Sequence, residues 1–441
     1  MDDRRSGEGR RPRTVNRRHF LFGATALAGG TLAAACGTNI GSGSSGGSSG
    51  APKGKAVLTQ YYHEYGEAGT EQAVHRYAQE YMKKNPHVQI NIEWIPGDYT
   101  TKLNTALVGS NPPDIFEGGP SLQMVQQKQI APLDDLYTSA DRADFFSNVM
   151  EQNTINGHIY GAKIVTDVGV LYYRKSMLEH AGVKPPENSD DLVKAAKALT
   201  SGHVKGLFVG NDGGIGALYQ LLPQSNKVQF INGSKIAFAT QAAAEALQVL
   251  VEVNHENVVL LGYTEDYLQP DAFTNGATAM QWTGLWAMRE VQQGVGDDFD
   301  VLPWPRYGSD GVPATFLGGW SEMISPKSKY LDEAKDYVKW LWIQNKAAQE
   351  QFNLAYGFHL PPRKSIAANA KELRSGPAKK AVGYLGKDAY PISNSWDADI
   401  DTDYSDAVAS IVHSNMDVAQ SLSQLQQARQ KAQSELKQEL T

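Results

Sequence analysis

The chain has 441 residues, with 41 Lys and Arg against 48 Asp and Glu, so it is acidic and long enough for two domains. Residues 1–35 hold seven of the basic and three of the acidic residues, which leaves a net charge of −11 after residue 35. Because no basic cluster follows, the composition argues against a nucleic-acid partner. The single cysteine, Cys36, cannot form an internal disulfide, so core packing must stabilise the fold.

The first element in chain order is an export signal over residues 1–35. Arg17 and Arg18 precede a short apolar run that glycines interrupt, whereas a membrane-spanning helix needs about 20 apolar residues. Residues 16–21 resemble the twin-arginine export motif, and the residues before Cys36 resemble a bacterial lipobox, although Ala33 stands where leucine is commonest. We expect cleavage to leave Cys36 lipidated and anchored to the outer face of the cell membrane. The alternative is an ordinary secreted protein whose cysteine closes the signal.

A tether and a folded body follow the signal. Residues 36–54 are almost all Gly, Ser, Ala and Thr after the cysteine, a composition typical of a flexible coil. The hydrophobic patterns of the body then predict a strand at 55–61, a helix at 70–85 and a strand at 88–95, which together indicate a βαβ unit on a parallel sheet. Further helices are predicted at residues 192–199, 240–253, 332–344 and 418–440.

Nine short blocks occur along the body in the order typical of one family. They are residues 111–115 (NPPDI), 160–162 (YGA), 171–177 (LYYRKSM), 181–186 (AGVKPP), 276–280 (GATAM), 284–286 (GLW), 299–305 (FDVLPWP), 318–320 (GGW) and 334–341. In this order, behind a lipoprotein signal, they resemble the sugar-binding proteins of ABC importers, extracellular solute-binding family 1, which are similar to maltose-binding protein. The resemblance runs from about residue 57 to the C-terminus.

The resemblance implies an α/β fold of the periplasmic-binding-protein type. Such a fold is a two-lobed clamshell, in which each lobe is a mainly parallel sheet flanked by helices and the chain crosses the hinge several times. We place lobe one at residues 55–162 plus 316–362 and lobe two at residues 163–315 plus 363–441. The implied function is to capture a mono- or oligosaccharide by lobe closure and deliver it to the ABC permease, as a monomer without a cofactor, a metal or a reaction of its own.

Candidate ligand-binding residues lie at strand ends, because ligands of α/β lobes bind beyond the carboxyl ends of the strands. A sugar offers a weakly polar ring face for aromatic stacking and a rim of hydroxyls for carboxylates, amides and arginine. The aromatic candidates, each with core packing as its alternative, are Trp282, Trp286 and Trp320, the last beside Gly319. The remaining candidates are Tyr62, His63, Glu64, Glu117, Asp167, Tyr172, Asn211, Asp212, Arg363 and Trp396.

Some of these candidates have specific alternatives. Asp167 stands where the family often has a hydroxyl-binding acid, and its alternative is a solvated loop acid. Tyr172 faces the cleft or packs beneath it, and Arg363 binds hydroxyls or pairs locally. Trp396 belongs to an acidic stretch, predicted as a loop, from which it would reach the site from lobe two.

Two rival functions stay open. A clamshell for a polyamine or peptide would line its cleft with other polar groups. A secreted carbohydrate-active enzyme would need two carboxylates about 5–9.5 Å apart, for which Glu64, Glu117 and Asp167 are available. The acids at 397, 399, 401 and 403 alternate like calcium ligands but lack the glycine and distal glutamate of an EF-hand, so a solvated loop is favoured there.

Overall fold

The computed structural model describes residues 55–440, apart from the side chain of Glu439. The predicted export signal, Cys36 and the tether lie outside the described residues. The described residues 55–440 belong to one compact unit. Within residues 55–440, no helix has the length and apolar character needed to cross a membrane.

The described residues form strands that belong to two large sheets and two small hairpins. The strands are β1 (Ala56–His63), β2 (Val88–Ile95), β3 (Ile115–Gly118), β4 (Thr154–Ile155), β5 (His158–Ile159), β6 (Ala162–Lys163), β7 (Asp167–Tyr173), β8 (Lys205–Phe208), β9 (Ile231–Asn232), β10 (Lys235–Ile236), β11 (Thr278–Gly284), β12 (Asp300–Leu302), β13 (Thr315–Gly318), β14 (Ser321–Ile324) and β15 (Ala389–Tyr390).

Helices connect these strands and cover the sheets. They are α1 (Thr70–Lys84), α2 (Tyr99–Val108), α3 (Leu122–Gln126), α4 (Ser139–Asp144), α5 (Ser147–Gln152), α6 (Lys175–Ala181), α7 (Ser189–Leu199), α8 (Ile215–Leu218), α9 (Leu221–Ser225), α10 (Gln241–His255), α11 (Asp271–Thr274), α12 (Met288–Val295), α13 (Leu331–Val338), α14 (Lys346–Gln351), α15 (Lys364–Asn369), α16 (Gly376–Lys387), α17 (Ala398–His413) and α18 (Val418–Glu439). Short 3₁₀ turns occur at Asp134–Leu136, Leu285–Ala287 and Lys371–Leu373, and π-helical turns occur at Lys339–Gln344 and Phe352–Tyr356.

The first sheet has the strand order β2-β1-β3-β14-β6. β1 runs parallel to β2 and β3, and α1 connects β1 to β2, so the predicted βαβ unit is confirmed. The helix packs through Ala73, Val74, Tyr77 and Tyr81, which recur at helical spacing and are buried. β14 pairs with β3 in the antiparallel direction, and β6 pairs with β14 in the antiparallel direction.

The second sheet has the order β15-β13-β7-β11-β8, with β12 also pairing with β7. β7 is antiparallel to β11, β12 and β13, so this sheet is mixed, not mainly parallel as expected. All seven residues of β7 are buried because neighbouring strands and helices cover both of its faces. Helices α10, α17 and α18 pack together in the core beside this sheet.

The chain passes between the sheets at residues 164–166, after β6, and at residues 319–320, before β14. A third segment lies against the first, since Thr166 and Leu360 exchange backbone hydrogen bonds of 3.0 and 2.9 Å. Two of the predicted lobe limits fall inside strands. Lys163, which we placed in lobe two, pairs with the first sheet, and residues 316–318, which we placed in lobe one, pair with the second.

Gly319 allows two of these crossing segments to lie in contact. Its φ is +88°, a conformation that side chains disfavour, and a Cβ there would lie 2.2 Å from the carbonyl oxygen of Val165. The next residue, Trp320, donates its backbone N–H to that same oxygen at 3.2 Å. A side chain at position 319 would therefore force the crossing segments apart.

We predict that Gly319→Ala lowers the free energy of unfolding by about 2–4 kcal/mol, because it adds left-handed strain to a backbone clash. Gly383→Ala is the control, since that glycine lies inside α16 and a methyl group added there would have no atom within 4 Å. The control is expected to stabilise the protein slightly, because alanine favours helix. Urea unfolding of both variants tests the prediction, and equal stabilities would contradict it.

Candidate functional site

A cavity of about 830 Å³ lies where residues following the strands of the first sheet face residues of the second. Its volume is toward the upper end of the roughly 300–1,000 Å³ typical of ligand sites. The first sheet and its loops contribute His63, Glu64 and Glu67, and the second contributes Asp167 and Phe316. Both sheets therefore supply polar groups to one space.

Aromatic rings form much of the cavity wall. Trp286 is half-buried, and its indole N–H donates to the Leu268 carbonyl at 2.9 Å, which fixes the ring in the wall. A Cβ on Gly284 would lie 1.8 Å from that ring, so only glycine lets the indole lie against the strand end. Trp320 stacks on His63 with ring centroids 4.0 Å apart. The exposed parts of these rings can receive the apolar face of a ligand.

Glu117 lies behind His63 and holds it. This carboxylate is fully buried, and its Oε2 accepts from the backbone N–H and the Nδ1 of His63 at 3.0 and 2.7 Å. Its Oε1 accepts from the Tyr65 hydroxyl at 2.5 Å. Burial and the nearby Glu117 carboxylate raise the pKa of Tyr65, so this phenol keeps its proton. Glu117 therefore positions His63 and does not itself reach the cavity.

An ionic bridge at the cavity joins the loop after β1 to the start of β7. His359, 5% exposed, lies 2.7 Å through Nδ1 from Asp167 Oδ1 and 3.2 Å through Nε2 from Glu67 Oε1. Burial alone would lower the pKa of His359, but Asp167 and Glu67 raise it to about 10, so the imidazolium persists at neutral pH. Burial opposes ionisation of Glu67, yet His359 lowers the net pKa of that carboxyl.

A buried lysine lies close to this bridge. Lys163, in β6, is 2% exposed and donates from Nζ to Gln152 Oε1 at 2.7 Å. Burial lowers its pKa to about 7, although the negative charge of Asp167 opposes that shift. Lys163 itself does not line the cavity, and its pKa and that of His359 are displaced in opposite directions.

Seven of the predicted site residues line the cavity: His63, Glu64, Asp167, Trp282, Trp286, Gly319 and Trp320. Trp282 does so although the residue as a whole is buried against Trp304 and Phe316. That these residues bind a ligand stays a prediction. Sequence reasoning missed Glu67 and His359; the former lies three residues after Glu64 in the same loop, whereas no local pattern marked the latter.

Three other candidates are buried outside the cavity. Tyr62 is fully buried, and its hydroxyl accepts from Gln60, which also donates to the buried Glu322 at 2.8 Å. Tyr172 packs beneath the wall and donates to the Gly284 carbonyl at 3.1 Å. Arg363, 1% exposed, pairs locally with Asp144 at 3.1 Å and Asp141 at 3.3 Å. The local-pairing alternative for Arg363 is the one the structure shows.

Asn211, Asp212 and Trp396 support the wall from outside it. Asn211 is exposed and ties its loop to the Tyr263 carbonyl, while Asp212 accepts from the backbone N–H of Gly216 at the start of α8. Trp396 donates to Asp401 at 2.7 Å and packs among the rings of Phe230, Phe238 and Tyr404, which turns it away from the cavity.

The acidic stretch around Trp396 is a helix start, not the predicted loop. Asp397 caps α17 by accepting from the Ile400 N–H at 2.7 Å, a role in which aspartate is favoured. Asp401 accepts from Tyr219 at 2.8 Å and from Gln220 at 3.2 Å, and both of those residues line the cavity. Across residues 55–440, no group of three or more potential metal ligands is clustered.

The fold and cavity are those of a two-lobed solute-binding protein, and the chain belongs to the bacterial extracellular solute-binding protein family, which matches residues 76–381. It is similar to an uncharacterized ABC transporter extracellular-binding protein of Pyrococcus horikoshii, with 24% identity over 332 residues that cover 70% of this chain and 73% of that protein. It is also similar to the lactose-binding protein of Rhizobium radiobacter, with 26% identity over 290 residues that cover 61% of this chain and 66% of that protein.

A solute-binding protein of Thermotoga lettingae bound with α-D-tagatose has the same fold, with a TM-score of 0.72 and 19% identity over 86% of this chain and all of that one. This likeness confirms the two-lobed fold class. Membership of an extracellular family places the protein outside the cytoplasm, and the members of that family are solute-binding proteins.

We predict that His359→Gln and Lys163→Met change the pH dependence of stability in opposite directions. His359 has a folded pKa of about 10 against 6.5 unfolded, so its contribution is complete below pH 6.5 and is lost as pH rises toward 10. Lys163 has a folded pKa of about 7 against 10.5 unfolded, so the unfolded chain binds more protons and this contribution rises with pH over 7–10.5.

His359→Gln should therefore make the free energy of unfolding increase more steeply, or decrease less, between pH 7 and 9.5 than in the unmodified protein. Lys163→Met should have the reverse effect, because methionine keeps the length of the side chain without its charge. Urea unfolding at several pH values measures both slopes. Slopes unchanged in either variant would show that the corresponding pKa is not displaced.

Proposed function

We propose that this protein captures a sugar, a mono- or oligosaccharide, in the cavity by lobe closure and delivers it to the permease of an ABC importer. The observation that carries the proposal is the composition of the cavity wall, which combines indole rings with carboxylates. Trp286 and Trp320 supply surfaces for a sugar ring, and Glu67 and Asp167 supply acceptors for its hydroxyls. A relative named for lactose and a fold neighbour bound with tagatose support this choice.

Lobe closure follows from where the binding groups are attached. His63, Glu67 and Trp320 belong to the first sheet and its loops, while Asp167 and Trp286 belong to the second. A ligand that contacts both sets binds the closed arrangement better than the open one. It therefore shifts the population toward closure by that difference in affinity.

The surroundings of the acids favour binding without catalysis. Of the three acids available as a hydrolytic pair, Glu117 is buried against His63 and Tyr65, and Asp167 is bonded to the His359 imidazolium. Of these three acids, Glu64 alone is exposed at the cavity. A retaining or inverting glycosidase needs two carboxylates free to act on the scissile bond.

A second candidate is a clamshell receptor for a polyamine. It is favoured by one observation, the presence of Glu64, Glu67, Asp167 and Glu290 around a single cavity. Carboxylates pair with ammonium groups as well as with hydroxyls. A sugar is preferred because a polyamine has no ring face to match the indoles.

We predict that the chain from Pro52 onward is stabilised against heat by at least one neutral sugar, and that Trp286→Ala reduces that sugar's affinity by about 1–3 kcal/mol. A ligand that binds only the folded state stabilises it by about 2.7 kcal/mol at a hundred times its dissociation constant. Thermal unfolding against a panel of mono- and oligosaccharides, spermidine and short peptides measures the first effect, and calorimetry measures the second.

Trp340→Ala is the matched control for that experiment, because Trp340 is also half-buried but packs on Tyr81 and Tyr337 outside the cavity. It should lower the unfolding temperature and leave sugar affinity unchanged. A midpoint that rises only with spermidine or a peptide would reject the sugar assignment, and release of sugar products would reject a pure binding function.

We also propose that the protein is exported by a twin-arginine signal, lipidated on Cys36 and held as a monomer at the outer face of the membrane. The support is the sequence pattern of residues 16–36 together with membership of an extracellular family. The Gly- and Ser-rich residues 37–54 would then give the binding body freedom to reach the permease.

We predict that Cys36→Ser moves the protein from the membrane fraction to the soluble extracytoplasmic fraction, because the acyl chains are its anchor. Cell fractionation and detergent phase partitioning measure the change. Arg17→Lys with Arg18→Lys is the companion variant, which should block export and leave the protein inside. Membrane association that persists in Cys36→Ser would contradict lipid anchoring.

A further inference from the structure

The charged groups that line the cavity are strongly unbalanced. Four carboxylates line it, from Glu64, Glu67, Asp167 and Glu290, together with the imidazoles of His63 and His359. No lysine or arginine lines it within the part of the chain that the structure describes. The His359 cation is already shared between Asp167 and Glu67, and His63 is engaged by the buried Glu117. The cavity therefore offers an incoming anion no lysine or arginine, and its imidazolium already lies between two carboxylates.

The ionic bridge leaves one donor and one acceptor unsatisfied. His359 Nε2 lies 3.2 Å from Glu67 Oε1 but forms no hydrogen bond, and Glu67 Oε2 is buried and has no hydrogen-bond partner among the described residues. On the other side of the imidazolium, Asp167 uses Oδ1 for His359. A buried carboxylate oxygen without a donor is costly, so a ligand hydroxyl that donates to it gains more than it would from a solvated acid.

A second residue of the cavity lining also has an unsatisfied donor. Trp282 lines the cavity and is fully buried, and its indole N–H has no acceptor within residues 55–440. Unsatisfied donors and acceptors at one cavity match a hydroxyl, which both donates and accepts. The unsatisfied oxygen of Glu67 does not match a ligand carboxylate or phosphate, because both groups only accept.

We propose that Glu67 and Asp167, held on either side of His359, bind hydroxyl hydrogens of the ligand and restrict the cavity to sugars without a carboxylate, sulfate or phosphate group. This inference rests on the proposed sugar-binding function and names the class of sugar. An acidic sugar would bring its charge beside two carboxylates in a site that excludes much of the water, and repulsion with no compensating cation would weaken its binding. Neutral sugars meet no such penalty.

The first test uses the unmodified protein and matched pairs of sugars that differ only in oxidation at carbon six. Glucose is compared with glucuronic acid, galactose with galacturonic acid, and galacturonic acid oligomers with their neutral galactose counterparts, by calorimetry at pH 7. We expect the neutral member of every binding pair to bind at least tenfold more tightly. An acidic member that binds as tightly as its neutral partner would overturn the inference while leaving the sugar-binding function intact.

The second test uses Glu67→Gln, which keeps the length of the side chain and removes its charge. We expect this variant to bind the neutral sugar about tenfold or more weakly, because hydrogen bonds to charged groups are stronger than those to neutral groups. We also expect a smaller ratio between its affinities for the neutral sugar and the acidic partner. Glu350→Gln is the matched control, because Glu350 is exposed on α14 outside the cavity. Unchanged affinity and preference in Glu67→Gln would overturn the role of Glu67.

Asp167→Asn gives a second reading on the same bridge if Glu67→Gln unfolds. This variant should also lower the affinity for the neutral sugar and the ratio of neutral to acidic sugar affinity. Affinities equal to those of the unmodified protein would show that Asp167 does not bind the ligand. Binding of spermidine or a peptide with no saccharide bound would overturn the proposed function itself. That result is distinct from tight binding of an acidic sugar, which overturns only the restriction to uncharged ligands.

Discussion

The imidazolium of His359 between Asp167 and Glu67 is the interaction on which the arrangement of the cavity depends. It joins the start of β7 in the second sheet to the loop after β1 in the first, next to the segments where the chain crosses between the sheets. Burial opposes the charges of Glu67 and His359, and the attraction between them stabilises both. Glu67 and Asp167 also line the cavity and contribute to its negative character.

Polar groups outside the cavity support its wall through hydrogen bonds to lining residues. Glu117 fixes His63, which stacks on Trp320, and Asp401 fixes Tyr219. None of these supporting acids needs to touch a ligand. They hold side chains that line the cavity in single orientations, which reduces the ordering cost of binding a ligand there.

Much of the fold follows from local patterns. The strands at 56–63 and 88–95 and the helix between them follow from alternating and helical spacing of apolar residues, and so do the helices at 241–255 and 418–439. Local patterns did not predict the directions of the strands in the second sheet, because β7 pairs with strands that lie far from it in the chain, namely β11, β12 and β13. The acidic stretch after Trp396 is a helix start and not the predicted loop, because Asp397 acts as the cap of α17.

The sequence by itself determined the class of protein, its α/β character and several residues that line the cavity, such as His63, Asp167, Trp286 and Trp320. His63 and Trp286 follow from strand ends that short-range periodicity reveals, whereas Asp167 follows from the family resemblance. Only the tertiary structure decided which polar residues meet: that Arg363 pairs with Asp141 and Asp144, and that His359 bridges Glu67 and Asp167. These partners lie far apart in the chain, and such pairing is set by how the sheets pack, not by any local pattern.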